Sequence, residues 1–166
     1  QIAQALEDRE DTLGAAEILR RLVERDPERV EFLLRLSALL ETQGLEGEAA
    51  ELKLRAAEIH IREKEYTEAA ALLEDVIRLA PEMEETRERL AALLVDLGQT
   101  PEAIARLVAL ADFRRARDRE PENIPLYRRI LELDPARDET RRRLAQTLEA
   151  EGLPAEAAEQ WIALAE

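Results

Sequence analysis

The side chains able to do covalent or acid–base chemistry are few in this chain. His60 is its only histidine, Ser37 its only serine, and cysteine is absent. No nucleophile can therefore be matched to an imidazole base in the usual way, and disulfides and thiolate metal sites are excluded. No motif surrounds His60, so a packed or half-exposed structural histidine is the expectation there rather than a ligand or a base. Carboxylates are plentiful and could in principle pair for acid–base work or hold a divalent ion. Their spacing suits another use. Glu31 and Arg35, Glu85 and Arg89, and Glu139 and Arg143 each stand four residues apart with the acid first, the favourable order on an exposed helix face, worth about 0.2–0.5 kcal/mol per pair. Nothing resembles a phosphate-cradling loop, an EF-hand loop or a zinc motif. No catalytic residue, metal or cofactor is assigned, and the chain is not expected to be an enzyme.

Charge points to partners instead. The formal net charge is −14, which disfavours nucleic acid and anionic membrane and suits a partner with a basic patch. One stretch runs the other way. From Phe113 to Arg143 ten arginines face seven acids. Arg114, Arg115, Arg117, Arg128, Arg129, Arg141 and Arg142 are its candidate docking residues, for an acidic partner or for the acidic N-terminal half of a second copy; ordinary pairing within the chain is the plainer expectation. No apolar run approaches the roughly 18 residues of a membrane span, and no basic segment followed by an apolar one opens the chain, so a cytoplasmic protein without membrane insertion is expected. Only Lys53 and Lys64 among the 24 cationic residues are lysines, a bias that fits a GC-rich bacterial genome. The start at Gln1 and an end inside a helical pattern read as part of a longer protein.

The elements behind these residues follow from composition and repetition. Ala, Leu, Glu and Arg dominate, all strong helix formers. Pro27, Pro81 and Pro135 recur every 54 residues, as do Gly44, Gly98 and Gly152, and Leu36, Leu90 and Leu144, with no insertion. The period divides the chain into units of about 1–26 (partial), 27–80, 81–134 and 135–166 (partial). Each unit reads as three helices, in copy one about 28–43, 46–63 and 67–80. Apolar residues recur at helical spacing, Gly44 stops the first helix, and Pro81 ends the third. The third should bury Ala69, Ala70, Leu72, Leu73, Val76 and Ile77. His60 shares its column with Leu6 and Arg114. In copy two the run Thr100-Pro101-Glu102 predicts an N-cap, a first-turn proline and an acid facing the helix dipole. Pro121 and Pro125 should delay the third helix of that copy to about residue 124, leaving Glu120–Pro125 as a stiff connection, and Asn123 stands where the packing alanine belongs.

The spacing Arg141-x2-Leu144-Ala145-x2-Leu148…Ala157-x3-Trp161 resembles the tetratricopeptide repeat. So do its counterparts at Arg87, Leu90, Ala91, Leu94, Ala103 and Leu107 and at Leu33, Leu36, Ser37, Leu40 and Ala49. The resemblance covers nearly the whole chain, as one domain over residues 1–166. It implies an all-α, tetratricopeptide-like α-solenoid, a right-handed superhelix of stacked antiparallel helices in about three 54-residue units. The usual period is 34, so each unit reads as two hairpins sharing a long middle helix. In that family the first helix of a hairpin lines the groove. Carried over, the groove positions are Glu31, Leu34, Ala38 and Glu41, then Glu85, Glu88, Ala92 and Val95, then Glu139, Arg142, Gln146 and Glu149. They lack the Lys and Asn set with which chaperone-binding members clamp a C-terminal carboxylate. The implied function is a scaffold or adaptor binding a partner peptide or protein, the partner basic by charge. The alternative is homo-oligomerisation or a structural spacer in a larger multidomain bacterial protein, using the apolar Trp161, Ile162 and Leu164.

Overall fold

The structure is a computed structural model that describes residues 12–165. Leu6 and the rest of residues 1–11, much of the first partial unit, lie outside the described residues, as does Glu166. Every regular element described is helical: α1 (Thr12–Arg25), α2 (Val30–Thr42), α3 (Glu46–Glu63), α4 (Tyr66–Leu79), α5 (Glu84–Asp96), α6 (Thr100–Arg115), a 3-10 turn (Glu120–Asn123), α7 (Ile124–Leu133), α8 (Asp138–Ala150) and α9 (Pro154–Ala165). The chain divides into two compact units, the first ending at Leu93 and the second beginning at Leu94.

In the first unit α1 packs on α2, α2 on α3 and α3 on α4. Leu33, Leu36 and Leu40 turn inward from α2, Ala49, Ala56 and Ile59 from α3, and Val76 and Leu79 from α4. Ala70, Leu72 and Ile77, expected in this core, are only half-buried, because one stripe of a helix this short is held by Ala69, Leu73, Val76 and Leu79. In the second unit α6 packs on α7, α7 on α8 and α8 on α9, around Leu107, Leu110, Tyr127, Ile130, Leu144 and Leu148.

Reversals within a unit are short because one residue takes the left-handed conformation. At Gly98 (φ +74°) the glycine N–H bonds to the Val95 carbonyl and the next N–H, of Gln99, reaches back to Leu94, which is the Schellman arrangement. Gly44 and Gly152 repeat it, and so do the non-glycine residues Lys64 (φ 65°) and Asp118 (φ 58°), themselves 54 residues apart. The residue after each turn then caps the next helix. Gln99 therefore holds the cap position expected for Thr100, which lies in the first helical turn beside Pro101; no side-chain cap bond forms, and the Gln99 carbonyl accepts from the Ala103 N–H. Chain economy explains the shift, since a turn with no spare residue leaves the cap to whatever follows the glycine.

The third helices end differently. Ala80 (φ −131°, ψ 76°) and Asp134 (φ −147°, ψ 92°) leave the helical region, which the following proline disfavours. In copy two α7 begins at Ile124, with the 3-10 turn Glu120–Asn123 taking up the delay imposed by Pro121 and Pro125. Asn123, at the alanine position, is fully buried and donates from Nδ2 to the Ala111 carbonyl at 2.9 Å.

A left-handed residue with a Cβ carries strain of about 1–2 kcal/mol that glycine avoids. Lys64 is exposed, so Lys64→Gly should raise stability by about 0.5–1 kcal/mol once the added freedom of the unfolded chain is counted. Gly98→Ala, which meets no steric neighbour, should lower it by about 1 kcal/mol. Urea unfolding followed by circular dichroism reads both; equal midpoints for the two variants would contradict the reading.

Candidate binding surface

The groove positions assigned from sequence all reach the surface. Glu31 and Ala38 on α2, Glu85, Glu88 and Ala92 on α5, and Glu139, Arg142, Gln146 and Glu149 on α8 are exposed, while Leu34, Glu41 and Val95 are half-buried. The anchors between them, Leu36, Leu40, Leu90, Leu94, Leu144 and Leu148, are buried. Helical geometry separates the two sets, and each first helix carries the same outward register.

Several of these acids already have partners. Glu85 bonds Arg89 at 2.8 Å, and Arg89 also reaches Glu58 on α3 at 2.6 Å. One unit later Arg143 repeats the bridge, with Asp112 and Glu139 both at 3.0 Å. The hydrogen bonds that Arg89 donates to Glu58 and then to Glu85 raise its pKa, and Arg143 beside Glu139 lowers the carboxyl pKa there. Glu31 faces Arg35 at 3.8 Å, so all three i, i+4 pairs form.

The arginine-rich stretch is threaded with acceptors. Arg115 pairs with Asp112, Arg129 with Glu132 and Arg142 with Glu139. Arg128 reaches Glu156 on α9, just as Arg20 reaches Glu48 two units earlier. Arg114 donates to the Glu122 carbonyl, Arg141 to the Pro135 carbonyl, and Arg117 lies over the Phe113 ring at 3.5 Å. Arg128 and Arg141 border one pocket, and Arg115 borders another.

His60 sits at the end of α3 with Nδ1 2.5 Å from a Glu65 oxygen. Ligand atoms of His60, Glu63 and Glu65 lie within 4.8 Å of one another, the one such group among the described residues. Two of the three are exposed carboxylates at a helix end, where acids and a histidine meet with or without an ion.

Sequence reasoning passed over Lys53. It is 8% exposed, and from α3 it binds Glu41 of α2 at 2.9 Å and Asp75 of α4. Arg78 closes the ring onto Asp75 at 3.2 Å and Glu41 at 3.4 Å. Burial opposes charge on Lys53, but the bonds to Asp75 and Glu41 prevail and its pKa rises; at Asp75 burial is likewise outweighed, by Lys53 and Arg78, and the pKa falls. The signal lay in register. Glu41 and Lys53 correspond to Val95 and Leu107, and then to Glu149 and Trp161, whose Nε1 donates to Glu149 at 2.9 Å.

Two profiles described as tetratricopeptide repeat match the sequence, over residues 1–64 and 60–119. The chain belongs to the tetratricopeptide-like helical-repeat family. Its fold is the all-α, tetratricopeptide-like class expected from the sequence, and the coarse function that goes with it is that of a protein-interaction scaffold. No curated protein matches. Solved structures to which the chain is similar include YrrB, a TPR protein with an unusual peptide-binding site (17% identity, 90% of this chain and 91% of that one, TM-score 0.34). MamA 41-end from Desulfovibrio magneticus RS-1 is another (19%, 98% and 89%, 0.30). So is the putative kinesin light chain of Podosopora anserina with nearly identical TPR-like repeats (18%, 98% and 90%, 0.34). No helix among the described residues is long and apolar enough to cross a membrane.

Lys53→Leu leaves Glu41 without its nearest cation and should cost about 1–3 kcal/mol. Glu41→Val combined with Lys53→Leu copies Val95 and Leu107 and should recover at least half of that loss. Asp75 titrates lower in the folded state, so its contribution is fully present above its ordinary value of 3.8 and disappears as pH falls through the lower folded value. Urea midpoints taken from about pH 5 to about pH 2 should therefore drop more steeply in the wild type than in the double variant.

Proposed function

We propose that this tetratricopeptide-like chain is an interaction scaffold that holds a peptide segment of a basic partner on the outward faces of its first helices. One observation supports it above the rest. The positions at 31, 34, 38 and 41, at 85, 88, 92 and 95, and at 139, 142, 146 and 149 stay accessible or half-accessible in every copy while Leu36, Leu40, Leu90, Leu94, Leu144 and Leu148 are buried. Side chains that reach the surface at fixed spacing are what a repeat offers a ligand. Their chemistry selects the sign of the partner. Residues 1–93 carry 23 acids and 13 cations, net −10, and residues 94–166 carry 15 acids and 11 cations, net −4. Small residues such as Ala38 and Ala92 among the acids leave room for a backbone to approach.

Selection from a displayed random-peptide library on the immobilised chain should enrich peptides of net positive charge whose affinity falls with added salt. Glu85→Arg with Glu88→Arg should weaken the selected peptides by about tenfold, near 1.4 kcal/mol. Enrichment of neutral or acidic peptides, or binding indifferent to this charge reversal, would remove the reading.

Self-association has its own observation. On α9, Ile162 is 62% exposed with Trp161 and Leu164 half-buried beside it, an apolar face that a second copy can cover. Light scattering over a concentration range should then show a mass that rises with concentration in the wild type and stays monomeric in Ile162→Lys. A wild-type mass independent of concentration would discard this second reading.

A further inference from the structure

Where later copies depart from earlier ones, several departures converge. Ile61, Tyr66, Ala69 and Leu73 of the first copy become Arg115, Glu120, Asn123 and Tyr127 of the second, and Leu93 and Leu97 of the second become Thr147 and Glu151 of the third. Exchanging hydrocarbon for polar groups costs stability unless the groups find partners or uses. The new residues meet in the second unit around a pocket of about 390 Å³ between α8, the end of α6 and the turn at Glu120 and Pro121, at the lower end of the roughly 300–1,000 Å³ of ligand pockets. Arg115, Glu120, Gln146, Thr147 and Glu151 are among its lining residues.

The charges around it are unevenly committed. Asp112 holds both Arg115 and Arg143, and Glu139 adds a second bond to Arg143. The carboxylates Glu120 and Glu151 have no such partner among the described residues. Glu120 is half-buried and accepts from neutral donors, the Tyr127 hydroxyl at 2.6 Å and, at 3.4 Å, the Asn123 amide and the Thr147 hydroxyl. Glu151 is exposed, with no side-chain partner among the described residues. Tyr127, buried against Glu120, has its pKa pushed up to about 12, so its hydroxyl stays a donor. Beneath the turn, the Asn123 Oδ1 is buried without a hydrogen-bond partner.

We propose that this pocket seats one basic side chain, an arginine or a lysine, of a bound peptide, with Glu120 and Glu151 as counter-charges and Gln146 and Thr147 as hydrogen-bonding neighbours. The proposal rests on the scaffold reading above and gives it a specificity determinant in the second unit. A carboxylate already held by neutral donors is oriented and partly stripped of water, so a guanidinium or ammonium arriving there gains more than on an open helix face.

The test is a titration of the isotope-labelled full chain, followed by NMR, with N-acetyl-arginine methylamide, N-acetyl-lysine methylamide and N-acetyl-glutamate methylamide as probes. The two basic probes should shift the backbone amide signals of Gln146, Thr147 and Glu151 saturably, with dissociation constants in the millimolar range, and the acidic probe should not. Glu120→Gln with Glu151→Gln should weaken the basic probes at least about tenfold. Glu151→Gln alone, at an exposed residue outside the packing, should weaken them about threefold, so a folding defect at Glu120 cannot mask the result. Absence of saturation with both basic probes, equal binding of the acidic probe, or unchanged binding in the variants would overturn the pocket. Library-selected peptides that bind the double variant as tightly as the wild type would also overturn it, while leaving the scaffold reading standing.

Discussion

The close approach of α3 to α2, of α4 to α3 and of α9 to α8 rests on a single small side chain. Ala49, Ala69, Ala103 and Ala157 are buried completely or nearly so in the first turn of a helix that has just reversed direction, and each N–H bonds to the carbonyl of the cap residue four positions back. A larger side chain there would push the hairpin apart and open the leucine layer behind it. The positions 15, 49, 69, 103, 123 and 157 are separated alternately by 34 and 20 residues. The longer step is the familiar two-helix repeat. The shorter one arises because α3 closes a hairpin with α2 and opens the next with α4, so the 54-residue unit is a two-helix repeat followed by one further helix.

That alternation constrains the turns. A helix shared by two hairpins can spend no residues on a loop, and the left-handed residues at 44, 64, 98, 118 and 152 supply reversals in which the residue after the turn already caps the following helix. Three of the five are glycine. Lys64 and Asp118 close the long shared helices instead, and they carry the strain of a left-handed residue with a Cβ. At those same ends gather His60 with Glu65, and Arg114, Arg117 and Arg119 around Phe113 and Glu122. Polar side chains concentrate where the packed alanine and leucine columns stop.

How much of this could be read in the sequence depended on whether the cause was local. The bounds of α3 and the late start of α7 were legible, because apolar spacing, glycine and proline act within a few residues. The cap at Thr100 was misplaced by one residue, since preference for a hydroxyl cap yielded to a turn with no spare position. Lys53 was illegible as a buried group: a lysine on an acidic helix reads as solvated, and only Glu41 and Asp75, arriving from two other helices, make burial tolerable. The accessibility of the groove positions followed from helical phase. The gathering of Glu120, Tyr127 and Thr147 did not, because it depends on where a 3-10 turn places one carboxylate against α7 and α8.

The columns at 41 and 53 show why such a frame can diversify. One copy holds Glu and Lys in an ionic ring around a buried lysine, the next holds Val and Leu, and the third holds Glu and Trp joined by a hydrogen bond. Three chemistries occupy the same two positions while the alanine column and the turns keep their register. A position that accepts an ion pair, a hydrocarbon pair or an indole is not what fixes the backbone. The same reasoning applies with more force at Glu120, Asn123 and Tyr127. There even the alanine column is broken, and the backbone answers by inserting a 3-10 turn and burying an amide that must find its own acceptor at Ala111. Breaking the alanine column carries a cost that exchanges at 41 and 53 do not, and it is at that break that Glu120, Asn123, Tyr127 and Thr147 join in hydrogen bonds.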